Sequence, residues 1–102
     1  MKKKAYRHGD VVIVRIDRIP DGLKPSRLGR TLAEGEVTGH AHVMTSGDVS
    51  LYEKDDVLYM HVESDEATLT HEEHETITIP NGDYMIERQR EYTPEGWRRV
   101  AD

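Results

Sequence analysis

Turn signals recur along this chain roughly every eight to twelve residues, and the segments between them alternate apolar and polar residues with a period of two. That spacing leaves room only for short strands. Asp10-Val11-Val12-Ile13-Val14-Arg15-Ile16-Asp17-Arg18 follows Gly9 and is rich in β-branched residues, which fit the pleated backbone. Both of its faces begin apolar, so it reads as a central first strand. Ile19-Pro20-Asp21-Gly22 reads as a turn and Leu23 to Gly29 as a loop. Gly29, Gly35 and Gly39 argue against a helix between Arg30 and Thr45 and suit bent strands instead.

The second half repeats the pattern. Ser46-Gly47-Asp48 reads as a hairpin turn into Val49-Ser50-Leu51-Tyr52, and Lys54-Asp55-Asp56 as the next turn. From Val57 to Glu63, Leu58, Met60 and Val62 share one face, with Tyr59 and His61 on the other. Ser64-Asp65-Glu66 is expected to turn the chain into Ala67 to Thr70. Pro80-Asn81-Gly82-Asp83 is the clearest turn in the sequence, and Thr93-Pro94-Glu95-Gly96 closes a last hairpin onto Trp97. The expected fold is all-β: one small barrel or sandwich of short antiparallel strands over residues 1–102, with residues 1–6 loose.

Composition narrows the chemistry. A chain of 102 residues, 35% apolar and without phenylalanine, has only a thin core, and 33% charged residues require that much of each strand face water. Cysteine is absent, which removes disulfides, thiolate metal sites and cysteine nucleophiles. Met1-Lys2-Lys3-Lys4 lacks the apolar run of a secretory signal, and nothing approaches a membrane-spanning length, so a cytoplasmic protein is expected. A net charge of -6 argues against nucleic acid as a partner, although Arg88, Arg90, Arg98 and Arg99 crowd the carboxyl end. No P-loop, dinucleotide fingerprint, GxSxG or HExxH is present.

What remains is histidine. Four of the six fall in His40-Ala41-His42 and His71-Glu72-Glu73-His74. On a strand, residues two apart project to the same side, so His40 and His42 can offer two rings to one ion. His71 and His74, three apart, would diverge on a straight strand and need a bend between Thr70 and Glu75. Neutral imidazole is the commonest protein metal ligand, and four nitrogens, or three with a carboxylate, suit zinc, iron, manganese or nickel. Glu73 and Glu75 are candidates for orienting an imidazole, or for a general base beside metal-bound water. His61 is a weaker fifth candidate, and His8, in a basic stretch, reads as solvated. Tyr84, Tyr92 and Trp97 read as core and hairpin residues.

Two resemblances arise at these motifs. The HxH of His40 and His42, followed by Pro80-Asn81-Gly82, resembles parts of the cupin motifs and implies a metal site inside a small cupin-like β-barrel. The chain departs from that pattern where Ser46 and Gly47 replace a glutamate ligand and Met85 a histidine. Gly35-Glu36-Val37-Thr38-Gly39-His40-Ala41-His42, His71-Glu72-Glu73-His74 and Gln89-Arg90-Glu91-Tyr92-Thr93-Pro94 together resemble a group of small bacterial and phage proteins, which implies a complete protein and no particular activity. The expected function is binding of a divalent metal through clustered histidines, with a small-molecule or protein partner and no named reaction. The alternative is a non-enzymatic interaction module, such as an assembly or phage accessory subunit or a homo-oligomer, in which the histidines are structural.

Overall fold

Period-two alternation becomes strand nearly throughout, but three of the expected turns do not turn. A computed structural model of the chain describes residues 4–34, 39–88, 90–93 and 96–99. The strands are β1 (Ala5–His8), β2 (Val11–Ile16), β3 (Lys24–Pro25), β4 (Thr31–Glu34), β5 (Ala41–Ser46), β6 (Val49–Lys54), β7 (Val57–Thr70), β8 (Ile77–Arg88), β9 (Arg90–Thr93) and β10 (Gly96–Arg99). All pairings are antiparallel. One eight-stranded sheet runs β1-β2-β8-β7-β5-β4, with β6 also paired to β7 and β3 to β6, and curls into a half-barrel, while β9 and β10 pair separately. The expectation of an all-β fold of antiparallel strands is met.

β2 is central, as its two apolar faces required, lying between β1 and β8. Its Val11 and Ile13 are fully buried in a core with Met44, Met60, Leu69 and Ile79. Each such side chain withdrawn from water contributes about 1.5–3 kcal/mol. Ala5 and Tyr6, within the stretch expected to be loose, pair with Val14 and Ile13. The Asp55-Asp56 turn is found as read, with positive φ at both residues (51° and 65°), the conformation of a two-residue type I′ hairpin.

The corrections lie along one line across the sheet. Ser64-Asp65-Glu66 is not a turn: β7 runs on to Thr70, and Val62 pairs with Gly82 while Glu66 pairs with Pro80. Residues 63–65 therefore bulge opposite Asn81 alone. Pro80-Asn81-Gly82-Asp83 is likewise inside β8, where the bulge accepts a proline that has no N–H to donate. Asn81 Nδ2 donates to the carbonyls of Val62 (2.8 Å) and Glu63 (3.0 Å), filling the gap that the unequal count leaves. Gly47-Asp48 is not a hairpin either. β5 and β6 both pair with β7, end to end along one edge, and Gly47 (φ +87°) lets the chain step past the bulge; a Cβ there would lie 2.7 Å from Ala67 Cβ and from Glu66 O.

At this irregularity both strands exchange the face that they bury. The buried residues change parity accordingly, from Met60 and Val62 to Ala67 and Leu69 in β7, and from Ile79 to Tyr84 and Ile86 in β8. The sheet bends at this line and keeps its apolar side inward. Arg15 clamps the bend, donating to Asn81 O (3.2 Å) and Tyr84 Oη (2.7 Å), and Tyr84 Oη donates to Pro80 O (2.6 Å). Burial pushes the Tyr84 phenol above its ordinary pKa, so it stays a donor. Beyond the bulge, the parity that buries Ala67 and Leu69 also turns His71 inward at the end of β7.

Candidate metal centre

Three chain segments deliver imidazoles to one end of the half-barrel. His42 is the second residue of β5 and fully buried, and His71 is 8% exposed just past β7. From His71 the chain bends through residues 72–74 before β8 begins at Ile77, which is the bend the HxxH spacing required. His74 thereby returns toward His71, with ring centroids 4.5 Å apart. His42 lies 4.3 Å from the His71 ring and 5.7 Å from the His74 ring, nearly parallel to the latter. One nitrogen from each of these three rings lies within 4.8 Å of the others, close enough to converge on an ion.

The third segment is the amino-terminal hairpin. His8 ends β1, and Gly9-Asp10 forms a two-residue turn into β2, with His8 paired to Val11. Gly9 takes φ +64° and Asp10 a negative φ, the type II′ pattern in which the first turn position selects glycine. A Cβ on Gly9 would stand 2.5 Å from His74 Nε2 and 3.0 Å from His42 Cε1, so the turn is packed against the rings. His8 is 3% exposed, which corrects its reading as solvated: pairing of β1 with β2 carries it into the interior.

Hydrogen bonds fix how these rings are turned. His8 Nε2 lies 2.7 Å from Glu75 O, and a carbonyl only accepts, so the proton of neutral His8 is on Nε2. Its Nδ1 faces His42 Nδ1 at 2.8 Å, and His42 Nε2 faces the buried Asp10 Oδ1 at 3.2 Å. Burial lowers the His8 pKa from 6.5, with the neighbouring His74 and His71 adding to the effect against the carbonyl of Glu75, so the ring favours its neutral, ligating form. Glu73 N–H donates to His71 Nδ1 at 3.0 Å.

The remaining candidates sit around this group. His40 precedes β5 and stays half-buried, its Nδ1 3.2 Å from Glu73 Oε2; its ring is 5.7 Å from that of His71, and it is outside the converging trio. Glu75, expected to orient an imidazole, does so through its backbone carbonyl, and the ring it orients is His8. Glu72 accepts the N–H of Ala41 at 3.1 Å, tying the bend to the entrance of β5; that bond holds its carboxyl below the ordinary value. His61 bonds Asp83 at 2.5 Å on a different part of β7. Tyr84 is core, as read, whereas the side chains of Tyr92, Trp97 and the carboxyl-terminal arginines lie outside the described residues.

Sequence reasoning missed His8, Gly9 and Asp10. The usable signal was Gly-Asp between two extended runs, a two-residue hairpin code that was read as the start of a strand. A groove of about 980 Å³ elsewhere, floored by Val11, Leu32, Leu58 and Ile86, is lined by none of the histidines. The histidine group is thus built into packed structure rather than set in that cleft.

A family model matches residues 7–89, the span from β1 to the end of β8 that contains every residue of the group. The chain belongs to the family described as Domain of unknown function (DUF8820). No curated protein and no solved structure matches it. Among the described residues, no helix is long and apolar enough to cross a membrane.

Proposed function

We propose that this member of the DUF8820 family is a cytosolic protein that binds a divalent metal ion through His42, His71 and His74. The observation that carries the reading is the convergence of three imidazoles, two of them buried, from residues up to 32 positions apart. Burying that many ionisable rings side by side is costly unless something satisfies their nitrogens together, and a cation does so. The supporting groups are those a metal centre uses to orient its imidazoles: the Asp10 carboxyl beside His42 Nε2, and the Glu75 carbonyl that accepts from Nε2 of the adjoining His8. An all-nitrogen set suits zinc, nickel, iron or manganese.

Whichever nitrogen His71 gives the ion, its bond from Glu73 N–H must break. A metal on Nδ1 takes the accepting lone pair, and a metal on Nε2 moves the ring proton onto Nδ1, so that two N–H groups face each other. Loading is therefore coupled to the backbone of the bend.

The test is elemental analysis of tag-free protein, followed by melting of the metal-free form with each ion. Near one equivalent of bound metal is expected. At a free ion concentration 100 times Kd, about 2.7 kcal/mol of stabilisation follows, a rise of roughly 10 °C or more in Tm for a domain of this size. A metal-free protein whose Tm responds to none of the four ions would overturn the proposal.

A further inference from the structure

We infer that His8 is the fourth ligand, closing a four-imidazole shell in which the metal staples the amino-terminal hairpin to β5 and the β7–β8 bend. The inference rests on the metal-binding reading above and goes beyond it in naming the missing ligand and in making the site structural rather than catalytic.

The argument is a count of protons and lone pairs. Glu75 O accepts from His8 Nε2, which leaves the His8 lone pair on Nδ1. With Asp10 Oδ1, 3.2 Å away, accepting from His42 Nε2, the His42 lone pair is on Nδ1. These two Nδ1 atoms face each other at 2.8 Å. Two lone pairs at that separation repel unless a cation lies between them, and only a proton or a metal ion fits. The edge of a tetrahedron with metal–nitrogen bonds of about 2.0–2.1 Å is roughly 3.3 Å. The rings need to part by only about half an ångström to exchange the proton for a metal.

Position supports the same assignment. The His8 ring centroid lies 5.0 Å from that of His42 and 5.7 Å from that of His74, no farther than His42 and His74 lie from each other. It is 6.3 Å from His71. Gly9 has no side chain where one would strike His74 and His42, so the hairpin can bring His8 against the other three. Four protein ligands leave a tetrahedral ion no open position for water or substrate, the arrangement of structural sites. Binding then draws together ligands separated by 34 and 66 residues, and its free energy becomes folding free energy.

Cobalt(II) titration of the metal-free full-length chain, read by d–d absorption, tests this. Wild type should show the intense bands of a four-coordinate ion. His8→Gln should bind cobalt at least about tenfold more weakly, with weaker bands as water enters the shell, since even partners outside the ligand set contribute that much. His40→Gln should match wild type. If His8→Gln binds within twofold of wild type with unchanged bands, His8 is not a ligand, while metal binding by the other three stands. If wild type binds no cobalt, zinc or nickel, the metal reading itself fails. Should His8→Gln not fold, hyperfine-shifted imidazole N–H signals of cobalt-loaded wild type decide the matter: four support the inference and three overturn it.

Discussion

His40 and His42 stand two apart at the entrance to β5, and His71 and His74 stand three apart across a bend, yet it is the second pair whose rings meet. Alternation places residues on a common face only where the backbone is held in a ladder. His42 is so held, opposite Ala33, whereas His40 lies before the first residue of β5 and follows Gly39, whose φ is +75°. His40 turns toward Glu73 at the margin. The HEEH segment has no ladder to obey. Its bend is fixed by side chain and backbone bonds, Glu72 to Ala41 N–H and Glu73 N–H to His71, and these fold His74 back onto His71.

The difference can be broken most forcefully at His42. Its replacement by alanine should abolish metal binding and cost about 2–4 kcal/mol in metal-free stability, because it leaves a cavity and takes a partner from buried Asp10 and His8. His40→Ala should stay within about 0.5 kcal/mol by urea unfolding. Equal losses in the two variants would mean that the HxH pair acts as a unit.

Gly9→Ala comes next, at about 1–3 kcal/mol, because a positive φ is strained for alanine and its Cβ would press on His74 and His42. Weakened metal binding should accompany the loss in calorimetric titration, since the hairpin carries no other route to those rings. A neutral outcome would show that the turn does not position the site.

A smaller effect is expected from acid. The His8 pKa is lowered in the folded state, so below 6.5 the unfolded chain takes up the proton first and stability falls with falling pH. From this group the slope is at most about 1.4 kcal/mol per pH unit. Measured on metal-free protein, the fall should be reduced in His8→Gln. The finest probe is the Glu73 amide, whose hydrogen exchange should quicken on metal loading as its acceptor on His71 is taken. Unchanged exchange in the loaded protein would mean that His71 is not a ligand.

Much of the site was legible. His42, His71 and His74 could be named from spacing and from the absence of cysteine, and the need for a bend between His71 and His74 followed from strand geometry alone. His8 and Asp10 were not, because what brings them to the group is the hairpin that buries them, and a basic flanking sequence gives no sign of burial. The turns at 46–48, 64–66 and 80–83 were misread for a related reason. Turn-forming residues mark places where a straight ladder fails, and a bulge satisfies that condition as well as a reversal does.

The sequence by itself determined the class of fold, the central place of β2, the Asp55-Asp56 hairpin and the restriction of any metal chemistry to imidazole and carboxylate. These follow from local preference and from the inventory of side chains, which do not depend on partners elsewhere in the chain. Tertiary structure alone decided that β5 and β6 share one edge of β7, that the bulges align into a single bend, and that His8 joins His42. Those depend on which strand pairs with which. Strands interchangeable in their alternation are told apart only by how their buried faces pack together.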